Sequence, residues 1–155
     1  MALTMTGVIT GAAVTGLTSP TFTLVADTSV SMYGKRSVVD TIGGTQPGVL
    51  KHSFDSQFYI DVKRPSEYKK LGTVNPVTGQ LRDVPKNTFA VHIGKGAIPA
   101  VNQPAETVPI KIEFRIPAGT VSYSENDVKA EVSLLIGWLT ANKDNLVQWF
   151  KDGNT

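Results

Sequence analysis

Residues 110–139, IKIEFRIPAGTVSYSENDVKAEVSLLIGWL, constrain the fold more than any other stretch of the chain. Ile110, Ile112, Phe114 and Ile116 alternate with Lys111, Glu113 and Arg115. Successive strand side chains point to opposite faces, so this segment is a strand with one apolar and one charged face. Pro117 closes it, and a polar linker follows. Ser124-Glu125-Asn126-Asp127 then fits a Ser-x-x-acid helix start with Ser124 as N-cap. Val128, Val132, Leu135, Ile136 and Leu139 recur at helical spacing, and Leu134 and Trp138 widen the stripe. Asn142-Lys143-Asp144 interrupts the pattern and predicts a break. A short second helix would carry Leu146, Val147, Trp149 and Phe150 and end at Gly153.

The same two-faced design recurs upstream. Residues 54–64 place Phe54, Ser56, Phe58, Ile60 and Val62 on one face and Asp55, Gln57, Tyr59, Asp61 and Lys63 on the other. Residues 87–93 separate Phe89, Val91 and Ile93 from Thr88, Ala90 and His92. Residues 4–10 and 21–26 read as an N-terminal β-hairpin with a long turn, and 36–42 as a short strand ended by Gly43-Gly44. The segments 65–86 and 94–108, rich in Gly and Pro, read as long connections, the first with a small turn at Asn75–Gly79. The predicted class is α+β: an N-terminal hairpin over 1–27, an antiparallel sheet of about five strands over 36–117, and two C-terminal helices over 124–152, all in a single domain.

That inventory leaves a deficit. A helix of the predicted length covers a strip about 10 Å wide, against a sheet roughly 25 Å across. Part of the apolar sheet face stays bare unless the two long connections fold back over it or a second copy covers it. The economical arrangement is an interlocked two-fold dimer, each chain's helices lying over its partner's sheet and edge strands pairing across the axis. Val128, Val132, Leu135, Ile136, Trp138 and Leu139 would then form the dimer interface.

Charge is uneven along the chain. Residues 51–115 carry ten basic and six acidic side chains, whereas 116–155 carry three basic and five acidic. A mildly basic sheet can face a polyanion, or be ordinary solvated surface. The absence of cysteine removes disulfides and thiolate metal sites. No apolar run approaches the roughly 20 residues of a membrane helix. The uncharged first 26 residues lack the basic start of a signal peptide and read as part of the fold. No catalytic or metal constellation emerges, and no cofactor is expected. His52 and His92 lie 40 residues apart, no Gly-x-Ser-x-Gly elbow is present, and Gly94-Lys95-Gly96 reads as a loop tip rather than a phosphate loop. Asp55 and Asp61, on one strand, would sit roughly 20 Å apart, too far for a carboxylate pair.

The order of these elements resembles the coat (capsid) proteins of small single-stranded RNA bacteriophages of levivirus type. The resemblance rests on Glu113, Ile116-Pro117, the linker Ser122–Asp127 and Glu131–Leu135, and on the strand ending Lys63-Arg64-Pro65. It covers about three-quarters of the chain, most convincingly 51–140. It implies homodimers that assemble into an icosahedral shell around genomic RNA, a location in the virion after synthesis in the bacterial cytoplasm, and no enzymatic activity. It further implies that the wet sheet face looks inward and, in several members, binds an RNA hairpin that represses translation. On this face Gln57, Tyr59, Lys63, Thr88, His92, Lys111 and Arg115 would meet RNA: the cations on phosphates, Tyr59 or His92 stacking on a base. Asp61 and Glu113 share the face, and Glu113 is expected to pair with Lys111 or Arg115. The inter-dimer loop would correspond to Gly94–Val108, with Gly94, Lys95, Gly96, Pro99 and Pro104. Pro109 stands where some relatives carry a stacking aromatic, and the Ser/Thr pair of their adenine pocket is not evident on 57–63. The other reading of the same residues is an open-sheet module that binds nucleic acid or a small ligand without assembling.

Overall fold

A computed structural model describes residues 3–153. Six strands form one antiparallel sheet in chain order: β1 Gly7–Thr10, β2 Thr18–Asp27, β3 Gly34–Thr45, β4 Phe58–Lys63, β5 Lys86–Ala97 and β6 Glu106–Pro117. A single helical turn, α1 (Thr120–Tyr123), leads into one 28-residue helix, α2 (Glu125–Asp152). The α+β order matches the sequence reading, but several boundaries do not.

The N-terminal hairpin is not separate from the sheet. β2 pairs with β3 from Thr18↔Thr45 to Asp27↔Arg36, so β1 and β2 extend the sheet to six strands rather than about five. The strand expected from residue 54 begins only at Phe58. The Ser53 N–H donates to the Ser56 carbonyl and the Ser56 N–H to Ser53 Oγ, each at 3.0 Å, which closes a turn instead. Phe54 is 97% exposed, so its alternation with Phe58 was not a strand face. Gly94, Lys95 and Gly96 are no loop tip: they continue β5, and the connection to β6 shrinks to residues 98–105.

The two expected helices are one. Asn, Lys and Asp cost a helix well under about 1 kcal/mol each relative to Ala, too little to break it alone. Here Asn142 Nδ2 donates back to the Trp138 carbonyl at 2.9 Å. Asp144 accepts from the Thr15 N–H (2.6 Å) and Thr15 Oγ1 (2.9 Å) in the β1–β2 turn, contacts that hold its carboxyl below the usual carboxylate range. The polar turn marks what the helix touches, not where it ends. Ser124 is the N-cap residue as expected, although its side chain makes no capping bond, and Gly153 ends the helix by donating its N–H to the Trp149 carbonyl.

Gly119 turns the chain from β6 into the helices. Its φ of 85° suits glycine, and Leu71 fills the space a Cβ would need. The 64–85 connection therefore does return to the sheet, in one place. Tyr68 packs on Phe89 at 6.0 Å between ring centroids. The Lys69 N–H donates to Asn87 Oδ1, and Asn87 Nδ2 donates to the Lys69 carbonyl. The turn at Asn75–Gly79 forms as expected, with Asn75 Oδ1 accepting the Val77 and Thr78 N–H groups.

Elsewhere the apolar face stays uncovered. Among the described residues the only buried apolar side chains are Leu24, Val39, Ala90 and Ala118. Helix α2 buries none of its residues and approaches none of the strands. Val108 and Ile110, on the apolar face of β6, are each 53% exposed. The protomer exposes 11517 Å². A compact chain of 16.6 kDa would expose roughly 7,600 Å².

Candidate nucleic-acid interface

Cross-strand pairing fixes which side chains share the polar face, because directly opposed residues point the same way. One row runs Arg36↔Asp61↔His92↔Lys111 across β3 to β6. Flanking rows hold Lys63↔Ala90↔Glu113, Tyr59↔Gly94↔Pro109 and Thr88↔Arg115. Six of the seven residues expected at an RNA surface are thus brought together on three strands. The seventh, Gln57, lies just outside β4, yet its carbonyl accepts the Gly96 N–H at 2.6 Å, which holds it in line.

The two acidic residues expected on this face behave differently. Glu113 is bracketed by Lys111 (2.9 Å) and Arg115 (2.6 Å) on its own strand, as expected. Hydrogen bonds from these two cations lower its pKa to about 2. Asp61 is 2% exposed. Ser29 Oγ, from the β2–β3 turn, donates to Oδ1 at 3.0 Å, and Lys63 Nζ lies 3.6 Å from Oδ2. A carboxylate so covered and paired repels an approaching phosphate far less than an exposed one would. His92 lies between Asp61 and Lys111, and its Nε2 is buried without a hydrogen-bond partner.

Three contributors were missed. Arg36 lies on the expected strand 36–42 and faces this side opposite Asp61, Lys86 joins it because β5 starts one residue earlier than the hydrophobic pattern suggests, and Ser29 reaches it from the β2–β3 turn. Arg36 lies with its guanidinium carbon 4.1 Å from the Tyr59 ring centroid. Alternation within 36–42 sets Arg36 with Val38 and Asp40, but no local pattern gives the register that brings Arg36 to Tyr59. With these additions the face holds Arg36, Lys63, Lys86, Lys111 and Arg115 against Asp27, Asp40, Asp61 and Glu113, a slight excess of positive charge.

The segment assigned to an inter-dimer loop divides. Gly94 and Gly96 are buried strand residues beneath Tyr59 and Ser56, and Pro99 and Pro104 lie in the exposed 98–105 turn. Lys95 points to the opposite, apolar side. There its Nζ donates to the Gly96 carbonyl at 2.8 Å and lies 5.3 Å from the Phe58 ring centroid, and burial lowers its pKa.

Two expected outcomes follow from this geometry. A Cβ at Gly94 would come within 2.4 Å of Tyr59 Cε1. Gly94→Val should therefore destabilise the fold by about 1–3 kcal/mol through overpacking, measured as a lower denaturant midpoint. Glu113, with its depressed pKa, contributes stability above its unfolded value that is lost as pH falls toward about 2. At neutral pH Glu113→Gln removes one negative charge from the face. It should steepen the salt dependence of single-stranded RNA binding by up to about 0.7 in log–log slope per protomer.

Among the described residues no cluster of His, Asp or Glu is suited to a metal ion, and no helix is long and apolar enough to cross a membrane. No protein-family model and no curated protein matches the chain. Solved structures do. The virus-like particle of bacteriophage ESE020 is 38% identical, aligns over 99% of this chain and 100% of that one, and superposes with a TM-score of 0.92. The virus-like particle of Beihai levi-like virus 32, 15% identical over 86% of this chain and 88% of that one, has a TM-score of 0.56 and shares the fold. High identity over the full length, joined to a six-stranded antiparallel sheet that feeds an unpartnered helix, places this chain in the coat-protein family of the levivirus-type RNA bacteriophages.

Proposed function

We propose that the chain is a capsid subunit that forms a two-fold dimer, assembles into a closed shell and holds single-stranded RNA against the polar sheet face. The observation that carries this reading is the bare α2: 28 residues with none buried and no strand of its own chain beneath it. Laid over a partner's sheet, its stripe Val128, Val132, Leu135, Ile136 and Leu139 covers apolar surface such as Val108 and Ile110, and Trp138 and Trp149 add aromatic area. The edge strand β6, twelve residues with one side unpaired, offers its free backbone groups to the same strand of the partner. The surface beyond that of a compact monomer, roughly 4,000 Å² per protomer, matches an obligate interface rather than a transient one.

The RNA role is supported by the polar face and its excess of cations. Pro109 and Gly94, side by side, leave no aromatic where a hairpin-reading relative would stack a base, which favours packaging by charge over recognition of one hairpin. Electron microscopy of the purified protein tests assembly, and absorbance at 260 nm after nuclease treatment tests packaging. Uniform particles with protected RNA are expected; a monodisperse monomer in sedimentation would overturn the dimer, and empty particles the RNA face.

A further inference from the structure

We infer that Arg36, rather than Tyr59, is the platform on which an RNA base stacks; this rests on the proposed RNA role of the polar sheet face. Tyr59 is committed on both sides. Its ring lies across Gly94, where a Cβ would fall 2.4 Å from Cε1, 2.5 Å from Cζ and 2.8 Å from the hydroxyl oxygen. The Arg36 guanidinium carbon lies 4.1 Å from the ring centroid. A ring lodged between the β5 backbone and a guanidinium has no free face to offer.

Arg36 is only part-buried, and the side of its guanidinium turned away from Tyr59 is the one we assign to a base. The guanidinium is planar, weakly hydrated and pre-set by the ring beneath it, so a base adds a further layer at little ordering cost. Arg36 is not diverted into an ion pair: Asp61, directly opposite on β4, is engaged by Ser29 and Lys63 instead. Its Nε is buried without a partner, so stacking rather than hydrogen bonding at Nε fixes the group. The Gly94 backbone, Tyr59 and Arg36 form a stack that ends in a flat cation beside the Lys63, Lys111 and Arg115 phosphate contacts proposed above. The ligand is an unpaired base of single-stranded RNA, with purines favoured by their larger π-surface.

The test compares binding of oligo(A) with an abasic oligoribonucleotide of equal length, using the full-length protein. The wild-type protein should prefer oligo(A) by at least about fivefold, the lower end of one base stacked on a platform. Arg36→Lys keeps the charge and loses the plane, so it should remove that preference while the salt slope stays unchanged. A preference that survives Arg36→Lys, or none in the wild type, overturns the inference. The Lys63, Lys111 and Arg115→Ser variant keeps the two ideas apart. If it binds both oligomers as wild type does, the RNA face itself is misplaced; if it weakens both while Arg36→Lys spares the preference, only the stacking role falls. Should Arg36→Lys disturb assembly, 2-aminopurine placed in the oligomer reads the same contact on the wild-type protein. Quenching on binding supports stacking, and unchanged fluorescence overturns it.

Discussion

Replacing both Val132 and Ile136 with aspartate should leave no assembled particle and no soluble dimer. In the isolated protomer these side chains are 36% and 60% exposed, so two surface charges there should be nearly neutral for a chain that works alone. Beneath a partner's sheet the same carboxylates would be buried without cations, at a cost of several kcal/mol each. The sign of the effect therefore reports whether another copy covers the helix. Removing residues 118–155 is the coarser form of the experiment. It strips the cover from the apolar face of a sheet that buries only Leu24, Val39 and Ala90 among its described apolar residues, and should yield aggregate. Size-exclusion chromatography with light scattering reads both variants. A soluble, monodisperse truncation, or full-size particles from the double aspartate variant, would contradict helix exchange.

What the sequence revealed of this arrangement divides along physical lines. β4, β5 and β6 were legible as two-faced strands because one side of each is apolar and the other wet, and period-two alternation records that asymmetry directly. The stripe on α2 was legible for the same reason. β3 was understated because Gly43 and Gly44 read as a terminator, whereas here they lie within the strand, Gly43 opposite Thr21 and Gly44 against the Ser19 backbone. The 94–96 segment misled in the same way: its glycines are required by Tyr59 on β4 and by Ser56 in the turn before it, a constraint that only strand pairing reveals. Asn142-Lys143-Asp144 looked like a break because the partner of Asp144, Thr15, lies 129 residues away in sequence. Of the polar face, the cations and Tyr59 followed from alternation. The screening of Asp61 by Ser29 and the stacking of Arg36 on Tyr59 did not, since each joins segments whose register no local pattern encodes.

Replacing Lys63, Lys111 and Arg115 together with serine should empty the shell of most of its RNA while leaving the dimer intact. None of the three lies on the apolar face, and their side chains are 32%, 57% and 69% exposed, so their loss removes little packing. The Lys111 and Arg115 pairs with Glu113 are solvent-facing and contribute little to stability; Asp61 is buried and keeps only Ser29 when Lys63 is lost, so the variant should unfold at a somewhat lower temperature while still dimerising. Their proposed contribution to RNA binding is different in kind. Each phosphate neutralised releases counterions, and for single strands the slope of log affinity against log salt changes by about 0.7 per contact. Three contacts make the slope shallower by about 2 per protomer, doubled across a two-fold dimer. Glu113, left without its two cations, adds an unscreened negative charge and deepens the loss; adding Glu113→Gln to the triple variant should restore part of the RNA. Nuclease-protected RNA per protein, measured beside thermal unfolding, separates the two effects. Unchanged RNA content would move the phosphate contacts to Lys69, Lys70 or Arg82 on the 64–85 connection, whose Tyr68 packs against the apolar side of the sheet.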